Sequence, residues 1–171
     1  MRQDVIGRVS FANCDPLFHD LAGHWRILPA PPSWLTGHLM RGECLIAPIP
    51  LADFVKNIDT LQAIDSIGIA SDGGVGSVLL FGDRPIEEMR DIAVPTDSST
   101  SRTLLPWLLS RRGCKPRLIE MGPDLESMLD RCDGALIIGD RAIDEADVNS
   151  NLVRMDLGAE WLDQTGFPMV F

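Results

Sequence analysis

The sequence DSSTSR at residues 97–102 stands between a short apolar run at residues 92–94 and a longer apolar run at residues 104–109. The first run predicts a strand, and the second predicts a helix that begins at the small hydroxyl residues. The first turn of a helix has main-chain N–H groups without helical partners, and the helix dipole favours negative charge there. Hydroxyl side chains at this point either cap the helix or donate to a bound anion. Taken alone, the stretch favours ordinary capping.

The same alternation of strand and helix continues on both sides of this stretch. Further strands are predicted at residues 4–12, 25–28, 44–49, 67–70, 75–81, 117–121, 134–138 and 152–155, and further helices at residues 17–21, 31–41, 50–55, 124–131, 140–146 and 157–164. The run at residues 44–49 is entirely apolar, as in a strand buried on both faces of a parallel sheet. Residues 71–74 are expected to join two neighbouring strands. The alternation predicts an α/β fold.

A turn at residues 83–85, with the sequence DRP, predicts a boundary between two lobes. We expect a first α/β lobe over residues 1–83 and a second over residues 84–166. Residues 167–171 are expected to begin a strand that returns to the first lobe. Two such lobes would hold a ligand in a cleft at the carboxyl ends of their strands.

Composition and charge exclude several classes of protein. The net charge is −10 and no basic patch is present, so nucleic acid is not an expected partner. No apolar run is long enough to span a membrane, and the N-terminus has no secretory signal, which predicts a cytoplasmic protein. The four cysteines form no CxxC pair and the histidines form no HxxxH pair, so no metal site is expected. The sequence gives no prediction of oligomeric state.

Several turns that follow apolar strands carry small or polar residues. Asn13 ends the first strand, Gly76 and Ser77 lie in a glycine-rich stretch, and Gly139 and Asp140 follow the strand at residues 134–138. Glycine allows a ligand to approach the main chain, and asparagine offers both a donor and an acceptor. Each residue also has an ordinary structural interpretation. Asn13 serves as a turn residue, Ser77 points outward from an edge strand, and Asp140 is the N-cap of its helix.

Five segments carry a family resemblance. They are GRVSFAN at residues 7–13 with PL at residues 16–17, GGVGSVLL at residues 73–80, DSSTS at residues 97–101, LIIGDRA at residues 136–142, and DLGAEW at residues 156–161 with TGFP at residues 165–168. In this order they resemble segments of the chorismate dehydratases of menaquinone biosynthesis by the futalosine pathway. The resemblance runs from one end of the chain to the other.

The resemblance implies a two-lobed fold like that of type II periplasmic solute-binding proteins, used inside the cell as an enzyme. It implies dehydration of chorismate, a small dianionic carboxylate, to 3-[(1-carboxyvinyl)oxy]benzoate without a metal or organic cofactor. Asn13 and Ser77 match the functional residues of the family and are the candidate catalytic residues. The candidate substrate-binding residues are Gly76, Ser99, Thr100, Ser101, Gly139 and Asp140.

The chain also departs from the family pattern. Asp15 stands where a neutral residue is usual, and we expect it to cap a helix with Pro16 at the first helical position. Family members continue beyond the TGFP segment, so we expect either a fragment or a short form that lacks the return segment. The proton acceptor stays unassigned. Two alternatives stay open, namely a non-catalytic carboxylate-binding protein of the same fold and the sibling dihydroxynaphthoate synthase.

Overall fold

The computed structural model describes residues 4–21 and 23–170. The chain divides into two compact units. The first runs to Gly68 and includes Asp97–Thr100, and the second consists of Ile69–Thr96 and Ser101–Val170.

The first unit is built on a small parallel sheet. Strand β1 (Val5–Val9) pairs in parallel with β2 (Arg26–Ala30). Its helices are α1 (Asp15–Phe18), α2 (Pro32–Met40) and α3 (Leu51–Lys56), and a short 3-10 turn (Ala12–Cys14) follows β1. Apolar side chains of β1 are buried, and Leu35 of α2 is also fully buried. Burial of such a side chain stabilises the fold by about 1.5–3 kcal/mol.

The second unit is built on a five-stranded mixed sheet with the order β6-β5-β7-β4-β8. Its strands are β4 (Val78–Gly82), β5 (Asp91–Pro95), β6 (Arg117–Met121), β7 (Gly134–Ile138) and β8 (Val153–Asp156). Strand β5 runs parallel to β6 and β7, whereas β4 runs antiparallel to β7 and β8. A separate antiparallel pair joins β3 (Ala70–Ser71) to β9 (Met169–Val170).

Every residue of β4 and β7 is buried, which places these two strands at the core of the second unit. Leu79 and Phe81 of β4 pack on one face of the sheet with Leu125 and Met128 of helix α5 (Leu125–Leu129). The unit also contains the helices α4 (Ser99–Arg111), α6 (Asp140–Val148) and α7 (Leu157–Thr165) and a 3-10 turn (Ile86–Glu88). The division between the units falls inside α4, after Thr100.

Helices α4 and α7 carry an aromatic pair. The ring centroids of Trp107 and Trp161 are 5.4 Å apart with an interplanar angle of 53°. Such tilted arrangements are favourable for aromatic rings. In the part of the chain that the structure describes, every helix is too short or too polar to cross a lipid bilayer.

Two predicted strands differ most from the structure. The segment at residues 44–49 does not form a strand buried on both faces, because it joins β1 only through an isolated bridge at Ile46, which is 44% exposed. Pro48 and Pro50 have no N–H group to donate to a sheet, which explains why the pairing stops. The strand predicted at residues 67–70 is reduced to β3, and it pairs with β9 rather than with the strand that follows it.

The start of α1 also differs from the prediction. The N-cap residue is Cys14, and Asp15 lies in the first helical turn, where it forms an ion pair with Arg8. The prediction of Asp15 as the cap is therefore wrong. Its carboxylate still lies at the end of the helix where the dipole favours negative charge.

The second unit begins at Ile69, earlier in the chain than the predicted start at residue 84. The reason is the pairing of β4, which makes main-chain bonds with both β7 and β8 in the central sheet. Residues 69–82, which precede the turn at 83–85, therefore belong with the second unit. Hydrophobic periodicity predicts that β4 is a strand but does not predict which strands it joins.

Candidate functional site

Four of the predicted site residues meet at one end of the sheet in the second unit. Strands β4 and β7 are antiparallel with Val78 opposite Ile138, so the residues just before β4 and just after β7 are neighbours. The main-chain N–H of Gly139 donates to the carbonyl oxygen of Ser77 over 2.7 Å. Gly76 is exposed, and both Ser77 and Asp140 are half-buried. The sheet register therefore brings Gly76, Ser77, Gly139 and Asp140 together.

Gly139 makes the turn from β7 into α6 in a conformation reserved for glycine. Its φ is 70° and its ψ is −154°, and it occupies the N-cap position of α6. A side chain at this position would be strained. The alternative in which Asp140 is the N-cap is therefore wrong. Asp140 is instead the first residue of the helix, where its negative charge interacts favourably with the positive end of the helix dipole.

Sequence reasoning missed the carboxylate that organises the loop before Ser77. Asp156, at the end of β8, accepts hydrogen bonds from the main-chain N–H groups of Val75 and Gly76. It also caps α7 by accepting from Gly158 and Ala159. An aspartate directly before a helix is a recognisable capping signal. Its bonds to the loop have no local signal, because Asp156 and Gly76 are 80 residues apart.

The hydroxyl residues at the start of α4 contact α3 within the first unit. Ser99 donates its hydroxyl hydrogen to Oδ2 of Asp53 over 2.9 Å, and Thr36 donates to the same oxygen over 3.0 Å. The main-chain N–H of Ala52 donates to Oγ1 of Thr100 over 3.2 Å. Asp53 is only 9% exposed. Since a serine hydroxyl has one hydrogen, Ser99 directs its only side-chain donor to Asp53.

The remaining predicted residues lie in different settings. Asn13 is exposed on the 3-10 turn that follows β1 in the first unit. Ser101 is 3% exposed and belongs to the second unit. Arg102, which follows it, forms an ion pair with Glu120 on β6.

A separate pocket of about 420 Å³ lies in the first unit and includes the side chains of Arg26, His38, Arg41 and Glu43 in its lining. Glu43 accepts hydrogen bonds from Arg41 and His38, and these bonds lower its pKa to about 2. The Glu43 carboxylate offsets the positive charge of Arg41 in this pocket. The pocket contains none of the predicted site residues.

Among residues 4–21 and 23–170, no group of three or more histidine, cysteine, aspartate or glutamate side chains is arranged to hold a metal ion. At the end of the second sheet, the main-chain N–H groups of Gly76 and Gly139 already donate to Asp156 and to Ser77, which leaves the Ser77 hydroxyl as the side-chain donor of this group. A hydroxyl donor suits a carboxylate ligand or a developing negative charge.

Comparison with known proteins places the chain in a family. The family model for menaquinone biosynthesis matches residues 5–171. The chain belongs to this family. It is 36% identical over 144 residues to the chorismate dehydratase of Thermus thermophilus, an alignment that covers 84% of this chain and 53% of that protein. The chain thus spans about half the length of this curated relative.

Solved structures share the fold of this chain. Protein AF1704 from Archaeoglobus fulgidus aligns with a TM-score of 0.74 and 18% identity, over 97% of this chain and 64% of that one. The alkanesulfonate-binding protein SsuA from Xanthomonas axonopodis pv. citri, bound to MOPS, aligns with a TM-score of 0.62 and 13% identity, over 90% and 60%. The predicted α/β fold of the solute-binding-protein class is confirmed.

Proposed function

We propose that this chain carries the activity of a chorismate dehydratase and converts chorismate to 3-[(1-carboxyvinyl)oxy]benzoate. The observation that carries the proposal is the 36% identity to the Thermus thermophilus chorismate dehydratase, within a family of menaquinone biosynthesis. The proposal assigns the reaction to the futalosine route and to the cytoplasm. The motif resemblance described above supports both assignments.

The reaction removes one molecule of water from the substrate ring. The bond between a ring carbon and its hydroxyl breaks, the neighbouring ring carbon loses a proton, and the departing hydroxide leaves as water after it gains a proton. The ring becomes aromatic, which favours the elimination. The protein therefore needs mainly to orient the substrate and to stabilise charge as the hydroxyl departs. In this proposal Asn13 and Ser77 hydrogen-bond to the substrate during that step.

The two carboxylates of the substrate require donors. We assign one of them to the first turn of α4, where Thr100 and Ser101 supply hydroxyl groups beside the main-chain N–H groups. Ser99 contributes its main-chain N–H, because its hydroxyl hydrogen bonds to Asp53. Gly76, Gly139 and Asp140 surround Ser77 at the end of the second sheet. Their proximity to one another supports their assignment to the same substrate.

Incubation of the purified chain with chorismate tests the proposal. We expect loss of chorismate with formation of an equal amount of the aromatic product, identified by chromatography and mass spectrometry. A folded chain that leaves chorismate unchanged would overturn the assignment. Thermal stabilisation by chorismate without turnover would instead indicate a binding protein, and saturation at 100 times the dissociation constant would stabilise the fold by about 2.7 kcal/mol.

A further inference from the structure

We infer that Asp156 is a positioning residue, which holds the glycine-rich loop at residues 73–76 in the shape that presents Ser77 to the substrate. The inference rests on the proposed function to the extent that Ser77 acts in the reaction. Asp156 lies at the end of β8, on the strand next to β4 in the sheet. Its side chain joins two parts of the second unit that are far apart in sequence.

The two carboxylate oxygens of Asp156 accept hydrogen bonds from different main-chain N–H groups. Oδ1 accepts from the N–H groups of Gly158 over 2.9 Å and Ala159 over 3.1 Å, and these bonds cap α7. Oδ1 also accepts from Val75 over 3.0 Å. Oδ2 accepts from Gly76 over 2.7 Å. Hydrogen bonds to an ionised carboxylate are about twice as strong as neutral ones, so the carboxylate fixes two successive loop N–H groups.

Packing independently shows that the start of α7 lies directly on the loop. A Cβ atom added to Gly158 would come within 2.7 Å of the carbonyl oxygen of Gly73 and within 3.2 Å of Cβ of Val75. Only glycine leaves room for this approach. The sheet register also places Asp156 opposite Leu79, two residues after Ser77. Strand β8 therefore holds the carboxylate of Asp156 next to the loop at residues 73–76.

These contacts fix the main chain on both sides of Ser77. The preceding residue, Gly76, is held through its N–H by Asp156, and the carbonyl of Ser77 itself is held by the N–H of Gly139 over 2.7 Å. The orientation of the Ser77 hydroxyl depends on this main chain. Loss of the bond from Gly76 to Asp156 would free the main chain before Ser77, while the bond from Gly139 would still hold the carbonyl of Ser77.

The variant Asp156→Asn separates the two roles of the side chain. Its amide oxygen can replace Oδ1 and keep the bonds to Val75 and to α7, since asparagine is as good an N-cap as aspartate. Its NH2 group then faces the N–H of Gly76, and two donors cannot bond to each other. The matched control is Asp124→Asn, because Asp124 caps α5 by accepting from Ser127 and lies outside the loop.

Two measurements decide the inference. Amide hydrogen exchange by NMR should be at least about tenfold faster at Gly76 in Asp156→Asn than in the wild type, with no such change in Asp124→Asn. The kcat for chorismate should fall at least about tenfold in Asp156→Asn with little change in KM, because the lost alignment is needed in the transition state. A second variant, Gly158→Ala, leaves residue 156 unchanged and adds a methyl group 2.7 Å from the carbonyl oxygen of Gly73 and 3.3 Å from Oδ1 of Asp156. It should also accelerate exchange at Gly76.

The outcomes separate this inference from the proposed function. If the wild type does not convert chorismate, the proposed function fails, and exchange at Gly76 alone then decides whether Asp156 positions the loop. If exchange at Gly76 stays at the wild-type rate in both Asp156→Asn and Gly158→Ala, the inference is overturned. It is also overturned if an active wild type and Asp156→Asn have the same kcat.

Discussion

The main-chain N–H of Gly139 and the carbonyl oxygen of Ser77 are joined by a 2.7 Å hydrogen bond that extends the β4–β7 pairing by one residue beyond Val78 and Ile138. This bond places the proposed catalytic serine beside the N-terminus of α6. Because Gly139 makes the bond from a φ of 70°, the position of Ser77 depends on a turn that only glycine makes without strain.

The first prediction concerns this turn. Gly139→Ala should lower the free energy of unfolding by about 1–3 kcal/mol, since alanine is strained at this combination of φ and ψ. Urea denaturation measures the change. Gly122→Ala is the control, because a Cβ added at Gly122 meets no atom within 4 Å. Equal stability of the two variants would contradict the argument.

The second prediction concerns the proposed catalytic residues. Ser77→Ala and Asn13→Ala should each lower kcat/KM for chorismate on the order of 10²-fold, the usual loss when a donor to developing charge is removed. The melting temperature should change little, because Asn13 is exposed and Ser77 is half-buried. Steady-state kinetics and thermal melts of each variant measure the two effects.

Ser110→Ala and Asn151→Ala serve as controls for this pair, since both side chains are exposed. Ser110 bonds only to the helix backbone at the carbonyl of Trp107 in the structure described. Parallel losses of activity and melting temperature in the Ser77 and Asn13 variants would point to structural roles.

The third prediction concerns Asp53. Asp53→Ala removes the shared acceptor of the Thr36 and Ser99 hydroxyls and should cost about 1–3 kcal/mol of unfolding free energy. Asp53→Asn should cost less, because its carbonyl oxygen can take the place of Oδ2. Chemical denaturation compares both with Asp59→Ala, which changes an exposed carboxylate in the same unit. A loss in Asp59→Ala as large as that in Asp53→Ala would contradict the role of the buried bonds.

The fourth prediction concerns acid stability. Hydrogen bonds from Arg41 and His38 lower the pKa of Glu43 from 4.5 to about 2 in the folded chain. A carboxyl group with a lowered folded pKa stabilises the fold above its unfolded pKa, and this contribution is lost as the pH falls from about 4.5 to about 2. Urea midpoints at about pH 6 and about pH 3 should therefore differ more in the wild type than in Glu43→Gln.

Glu126→Gln is the control for this pH dependence, because Glu126 is exposed on α5. We expect its two midpoints to differ as much as those of the wild type. High salt should shrink the contribution of Glu43, since exposed ion pairs are screened. A Glu43→Gln profile that follows the wild type at both pH values would show that these bonds do not act on stability.

Most strands of the second sheet could be predicted closely from the sequence, whereas β4 begins at Val78 and not at the predicted residue 75. Strands β6 and β7 have the predicted bounds, because each is a short apolar or β-prone run with turn residues on both sides. The pairing of β4 with β7 and β8 could not be predicted in this way. Strand periodicity identifies the buried face of a strand but not its neighbours.

The candidate site residues could be predicted from the sequence where they lie at the ends of strands. Ser77 and Gly139 stand at strand ends, and the register of β4 and β7 brings them together. Asp53 and Asp156 were missed because they act through contacts with residues 46 and 80 positions away. In the sequence both are ordinary helix-start aspartates. Only the folded chain shows that each accepts hydrogen bonds from residues of a distant segment.

The aromatic pair between α4 and α7 gives the second unit an optical signature of its own. Two indole chromophores with centroids 5.4 Å apart couple their electronic transitions, which produces paired circular-dichroism bands of opposite sign. The other two tryptophans, Trp25 and Trp34, belong to the first unit. Disappearance of the coupled bands during heating therefore reports the melting of the α4–α7 contact, separately from the first unit.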